Sequence, residues 1–125
     1  MNDTHKTVLI TGAAKRIGKA IAIGMAADGW RVVLHYGTSQ KEAESLVQLI
    51  RGNGGDAFKL HADLCDEEQT GLLIPSALKI AGPISCLINN ASLFEEDSVQ
   101  TASCESWNAH MQINLRSPFV LIQAL

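Results

Sequence analysis

Apolar residues come in two rhythms along this chain. Short runs at 7–10, 31–36, 57–62 and 86–89 are rich in Val, Leu and Ile, whereas longer segments such as 17–27 and 43–50 bring an apolar residue back every three or four positions. The first rhythm predicts strands and the second amphipathic helices. Val8-Leu9-Ile10 and Val32-Val33-Leu34 do not alternate with polar residues, as expected of parallel strands covered by helices on both faces. Regular strand–helix alternation therefore predicts βαβ units and an α/β fold with a doubly wound parallel sheet. The punctuation agrees: Gly29 is placed to close the first helix with a left-handed cap, Ser39 to cap the second, and Gly52-Asn53-Gly54-Gly55 to end it. Beyond Gly82-Pro83 and the fourth strand, a polar loop through Ser98 leads to a last helix. Ser103 is its expected cap, and Trp107, Met111, Leu115, Phe119 and Ile122 come after it at mixed three- and four-residue spacings.

Composition narrows the picture to one unit, residues 1–125, because 125 residues that are 46% apolar make one core and not two. A net charge of -3 with no clustered Lys or Arg excludes the basic stripe a nucleic-acid backbone requires. The first six residues are polar and the run 8–10 is too short for a signal peptide or a membrane span, so a cytoplasmic protein is expected. Cys65, Cys86 and Cys104 are widely spaced, with no C-x-x-C and no histidine at ligand spacing, so neither a disulfide nor a metal site is expected.

Directly after the first strand the chain reads Thr11-Gly12-Ala13-Ala14-Lys15-Arg16-Ile17-Gly18, and a helix begins at its end. A dinucleotide site needs this context: Gly12 for a tight turn, Gly18 for close approach of helix to sheet, and open amides at the helix start for a pyrophosphate. An ordinary βα turn containing two glycines is the alternative. At the end of the second strand, where an acidic residue would bond a ribose hydroxyl and repel a 2′-phosphate, the sequence offers Leu34-His35-Tyr36-Gly37-Thr38-Ser39-Gln40-Lys41 instead. With Lys15 and Arg16 nearby, those hydroxyls and that imidazole favour NADPH over NAD.

The loop resembles the T-G-x-x-x-G-x-G pattern of the short-chain dehydrogenase/reductase family, with Arg16 where most members have the middle glycine. Arginine there is similar to the pteridine reductases and bacterial dihydromonapterin reductases, which use it near both the cofactor phosphates and the pterin. The resemblance implies a Rossmann-type NAD(P)-binding domain with strand order 3-2-1-4. It also implies cofactor contacts from Gly12, Lys15, Arg16, Ile17, Gly18, His35, Tyr36, Thr38 and Ser39, although Thr38 stands where the pteridine reductases usually carry an arginine. Ala62-Asp63-Leu64 resembles the family's adenine-binding pair, with Asp63 as acceptor, while both Asp63 and Asp66 also fit a helix cap. Asn89-Asn90-Ala91-Ser92 is similar to the family's N-N-A-G, with Asn90, Ala91 and Ser92 against the cofactor. Ser92 in place of glycine, with Phe94 two residues later, again resembles the pterin-reducing members, in which the ring stacks on the substrate. Arg16, Ser92 and Phe94 are thus the implied substrate contacts. A core position for Phe94 is the alternative.

Met111-Gln112-Ile113-Asn114-Leu115 resembles the segment that carries the family's catalytic Asn. This implies that Asn114 holds a proton-relay water through its backbone carbonyl. A plain hydrogen bond from Asn114 to a neighbouring loop is the alternative. The family's Tyr-x-x-x-Lys is missing: Tyr36 is the one tyrosine, and the residue four positions beyond it is Gln40. The resemblance therefore implies a domain incomplete before its fifth strand, a small-molecule carbonyl or imine substrate, a homo-oligomer in the complete form, and no turnover by these residues alone. The rival expectations are a non-catalytic NADPH-binding module, alone or assembled with a partner, and a general reductase of 3-oxoacyl or sugar carbonyls. Without a fifth strand to cover it, the helix face carrying Phe119, Val120 and Ile122 is expected to be wet.

Overall fold

The computed structural model describes residues 5–125. Four strands, β1 (Thr7–Ile10), β2 (Arg31–Tyr36), β3 (Asp56–His61) and β4 (Cys86–Ile88), alternate with helices α1 (Arg16–Ala27), α2 (Gln40–Gly52) and α3 (Glu67–Ala81). All strand pairs are parallel, in the order β3-β2-β1-β4. The third strand starts and ends one residue earlier than the apolar pattern suggests, and β4 stops at Ile88 rather than residue 89.

Strand parity sorts the core into two layers. Val8, Ile10, Val32, Leu34 and Tyr36 pack with Ala22, Ala43, Leu46 and Ile50 under α1 and α2. Leu9 and Val33 pack on the opposite face with Leu73, Ile74, Ala77, Ala81 and Leu121. Burial on both faces is why these runs do not alternate, and each fully buried Leu or Ile contributes about 2 kcal/mol by leaving water. At the sheet end remote from the loops, Arg31 bonds the Asp56 carboxylate at 2.7 Å and the Ala81 carbonyl at 3.0 Å, tying β2, β3 and α3 together.

The helix ends obey the turn chemistry. Gly29, at φ 90°, lies just beyond α1, and Gly54, at φ 85°, just beyond α2. Ser39 occupies the cap position of α2, but its side chain accepts no capping bond. Asp66, rather than Asp63, caps α3, accepting from the Gln69 amide at 3.0 Å. The last helix is not uniform: α4 (Cys104–Met111), capped by Ser103 as expected, runs through a π-helical turn (Gln112–Arg116) into α5 (Ser117–Ala124). The stripe Trp107, Met111, Leu115, Phe119 and Ile122 is exposed along its whole length. Ser117 and Leu121 are the buried residues of this final segment, and Val120 is half-buried rather than wet. The Ser117 hydroxyl donates to the Leu64 carbonyl at 2.8 Å and docks α5 on the end of β3. Among the described residues no helix is long and apolar enough to cross a membrane, and no cysteine is paired.

Candidate functional site

The C-terminal ends of the strands gather the loops singled out in the sequence. Gly12 leaves β1 at φ 61°, in the left-handed region, and a Cβ there would stand 3.0 Å from the Ala91 Cα. At Gly18 a Cβ would come within 2.6 Å of Asn90 Nδ2 and 2.8 Å of the Ala13 Cα. Both positions therefore exclude any side chain, one by conformation and contact, the other by contact alone. Asn90 crosses from the end of β4 and donates from Nδ2 to the Thr11 and Gly12 carbonyls, each at 3.1 Å. In return the buried Thr11 hydroxyl accepts from the amides of Asn90 and Ala91, each at 3.0 Å. Thr11 is absent from the expected site residues, although the strand-end Thr-Gly pair carried the signal.

The start of α1 differs from that of α3. Asp66 caps α3 and Glu67 and Glu68 fill its first turn, as the positive end of a helix favours. In α1 the cap residue is Lys15, no side chain caps the helix and no acidic residue lies in the first turn. Instead Lys15, Arg16 and Lys19, with Lys41 from α2, line a cleft of about 440 Å³. Open amides and excess positive charge at one helix start make a site for an anion. Arg16 has φ 54°, a left-handed conformation that glycine adopts freely and arginine at a cost of about 1–2 kcal/mol. Glu42 enters the same cleft and its carboxylate lies 3.8 Å from Lys15 Nζ.

Three residues expected at the cofactor face inward instead. His35 is buried: Nδ1 accepts from the Gly12 amide at 3.0 Å, and Nε2 donates to the Ala62 carbonyl at 2.8 Å. Neither ring nitrogen is left for a phosphate. Burial, and after it the charge of His61, holds the His35 pKa below the ordinary histidine value. Tyr36 belongs to the core layer under α1 and α2, its ring centroid 5.4 Å from that of His61. The Leu64 side chain is also in the core, and its carbonyl takes bonds from α5 and Gln112. Strand parity explains the first two: His35 and Tyr36 continue the buried positions Val33 and Leu34. Thr38 is exposed, Ser39 half-buried and Ala62 buried. Asp63 is exposed, with one carboxylate oxygen accepting from the Cys65 amide at 2.9 Å in a tight turn.

On the other side, the loop after β4 is held from the last helix. The Asn114 side chain grips the Leu93 backbone at both ends, accepting from its amide and donating to its carbonyl, each at 2.8 Å. The loop hydrogen bond is thus the geometry present at Asn114, whose backbone lies in the π-helical turn. His110 Nε2 accepts from the Glu95 amide at 3.1 Å and extends the grip. Just before these anchors Ser92 is exposed, and between them Phe94 points outward at 86% exposure, which excludes the core position for Phe94. Ile17, 70% exposed, stands at the opposite rim at the start of α1.

A parallel sheet ordered 3-2-1-4, with a glycine-built turn between its first strand and helix, defines the Rossmann-type class of α/β domain. Within that class, the family model described as short chain dehydrogenase matches residues 6–125, and the chain belongs to this family. A curated relative, the 3-oxoacyl-[acyl-carrier-protein] reductase of Synechocystis sp., is 33% identical over 122 residues, covering 98% of this chain and 49% of that protein. Among solved structures, FolM alternative dihydrofolate reductase 1 from Brucella canis complexed with NADP is 38% identical at a TM-score of 0.89, over 94% of this chain and 48% of that one. A blue fluorescent protein from a metagenomic library, in complex with NADPH, is 33% identical at a TM-score of 0.90, over 95% of this chain and 49% of that one. The chain spans about half the length of the curated relatives it matches.

Proposed function

We propose that this chain is the cofactor-binding part of an NADPH-dependent reductase that acts on a flat pterin-like substrate. The observation that carries the reading is the uncapped, acid-free start of α1 beside the Gly12–Gly18 cradle, where Lys15, Arg16, Lys19 and Lys41 bring more positive charge than Glu42 offsets, as an anionic ligand would favour. The residues present fit a dinucleotide phosphate. Amides at the helix start would hold the pyrophosphate, and Lys15, Arg16, Thr38 and Ser39 the 2′-phosphate. Asp63 would accept from the adenine amino group. Ala91, Ser92 and Ile17 would border the nicotinamide, and the bound cofactor would supply a hydride.

Pterin as substrate rests on Arg16, Ser92 and Phe94. An exposed phenyl ring on a tethered loop offers a stacking face for a heteroaromatic ring at small entropic cost. The NADP-bound Brucella neighbour, named as an alternative dihydrofolate reductase, favours the same class. In the whole protein, a Tyr-x-x-x-Lys segment beyond these residues would donate the proton, and Asn114 would serve its relay through its backbone carbonyl, which lies in the π-helical turn. The exposed stripe on α4 and α5 suits a homo-oligomer contact. A second reading, a reductase of 3-oxoacyl carbonyls, draws on the name of the Synechocystis relative. Dihydropterin-dependent oxidation of NADPH by the whole protein, lost in Phe94→Ala, is the expected result. Equal turnover in the variant, or preference for a 3-oxoacyl thioester, would reject pterin in favour of the second reading. Saturable NADPH binding with no turnover of any carbonyl would instead mark a binding module.

A further inference from the structure

His35 is joined to the phosphate loop at two points and to the residue just beyond β3 at a third. Its Nδ1 accepts from the Gly12 amide at 3.0 Å, its backbone carbonyl accepts from the Ala13 amide at 2.9 Å, and its Nε2 reaches the Ala62 carbonyl at 2.8 Å. A carbonyl only accepts, so the proton resides on Nε2 and Nδ1 is bare. That tautomer alone satisfies both partners. We propose that His35 is a positioning residue for cofactor binding: its neutral, Nε2-protonated ring clasps Gly12 and holds the phosphate loop in its binding shape, and protonation of Nδ1 opens the clasp. The inference rests on the reading of this loop as the cofactor site.

The physical consequence of a second proton is direct. An imidazolium has donors on both nitrogens, so the Gly12 amide would face an N–H in place of a lone pair, with its own bond lost in a buried setting. Gly12 has no slack to absorb this, because it lies against the Ala91 backbone and its carbonyl is fixed by Asn90. Displacement there would carry to Gly18 and the first amides of α1, which pack on the same atoms. The charged and titratable groups on the elements around the ring are His61 and Asp63 at the end of β3, and Lys15 and Arg16 on the loop. Of these, His61 is the one whose charge reaches it. Burial, the largest effect, together with His61 disfavours the imidazolium and outweighs the Ala62 bond, which favours it, so the clasp is closed at neutral pH and opens only in acid, below the ordinary histidine value of about 6.5.

The test is titration of NADP+ into the wild-type protein, His35→Asn and His35→Leu from about pH 8 down to about pH 5. In His35→Asn the amide oxygen falls near the place of Nδ1, accepts from Gly12 and does not titrate. The wild type is expected to lose affinity in acid by about tenfold per pH unit once His35 charges. His35→Asn should lack that fall and show only the titration of the ligand's own phosphate. His35→Leu, which keeps bulk without an acceptor, should bind about tenfold more weakly than the wild type at neutral and alkaline pH and lack the acid fall, and His35→Asn should recover most of that loss. Nitrogen-15 spectra of the ligand-free wild type should show a protonated Nε2 and a bare Nδ1. Superimposable profiles for the wild type and His35→Asn would overturn the proposal, as would His35→Asn binding no better than His35→Leu. If His35→Leu fails to fold, the comparison of the first two proteins decides. A wild type that binds no NADP+ even at alkaline pH would reject the cofactor reading itself and this inference with it, whereas the nitrogen spectrum would still report the tautomer.

Discussion

The two sides of the candidate site are held by different means. On the side of the Gly12–Gly18 turn, Thr11, Gly12, Gly18, His35 and Asn90 interlock the ends of β1, β2 and β4, and the Thr11 and His35 side chains are almost wholly out of water. On the opposite side, the loop carrying Phe94 and the helix α4 contain no buried residue, and the loop is fixed by exposed side-chain bonds from Asn114 and His110. A hydrogen bond in water's reach contributes about 0.5–1.5 kcal/mol net, whereas a buried donor stripped of its partner costs about 1–3 kcal/mol. The side of the Gly12–Gly18 turn is therefore shaped before any ligand arrives. The Phe94 side is anchored at two points and otherwise open, as would suit the substrate contact proposed for it.

The comparison can be broken most severely at Gly18. Gly18→Ala would put a methyl group under 3 Å from the Ala13 backbone. About 3 kcal/mol of stability should be lost in denaturant unfolding, together with saturable NADP+ binding. Next in size, Thr11→Val keeps the shape and removes the acceptor shared by the Asn90 and Ala91 amides. A loss of about 2 kcal/mol is expected, and a change under about 0.5 kcal/mol would mean those bonds do not hold that side.

On the other side, Asn114→Ala should cost only about 1 kcal/mol in global stability. Amide exchange at Leu93 and Glu95 should nevertheless rise markedly while that at Ala13 is unchanged, and equal effects on both sides would contradict the contrast between them. Arg16→Gly should go the opposite way in thermal unfolding. Relief of the left-handed backbone strain stabilises by about 1 kcal/mol, while the loss of charge weakens NADP+ binding. The smallest effect concerns Asp97. Bonds from Ser106, then Thr101, hold its carboxyl below the ordinary aspartate range. A folded pKa lowered in this way makes a contribution that is present at neutral pH and lost as pH falls through the folded value. Its carboxyl carbon resonance should accordingly titrate below that of a free aspartate, and in Ser106→Ala the midpoint should move back up.

Where local pattern and tertiary demand coincide, the chain can be read directly. Val8-Leu9-Ile10 and Val32-Val33-Leu34 announce strands buried on both faces, and Gly12 and Gly18 stand where no side chain fits. The inward direction of His35 and Tyr36 is legible as well once strand parity is carried two residues past Val33 and Leu34. Their polar identity suggests a ligand instead. Leu64 illustrates a different limit: its side chain joins the core while its carbonyl receives Ser117, and no local signal ties residues so far apart in sequence. The π-helical turn is foreshadowed only by the unbroken four-residue spacing of Trp107, Met111, Leu115 and Phe119, which a straight helix of 3.6 residues per turn would rotate off one face, and that spacing does not say where the extra residue sits. The outward direction of that stripe depends on which face α5 docks, and the buried Ser117 decides it in preference to the larger apolar residues beside it.

The most direct test of the account is an amide-resolved NMR titration of the protein with NADP+. The account predicts saturable shifts that share one binding constant at Gly12 to Gly18, Asp63 and Asn90 to Ser92, with little change along Trp107 to Ile122. Shifts absent from the phosphate loop, or confined to α4 and α5, would contradict it.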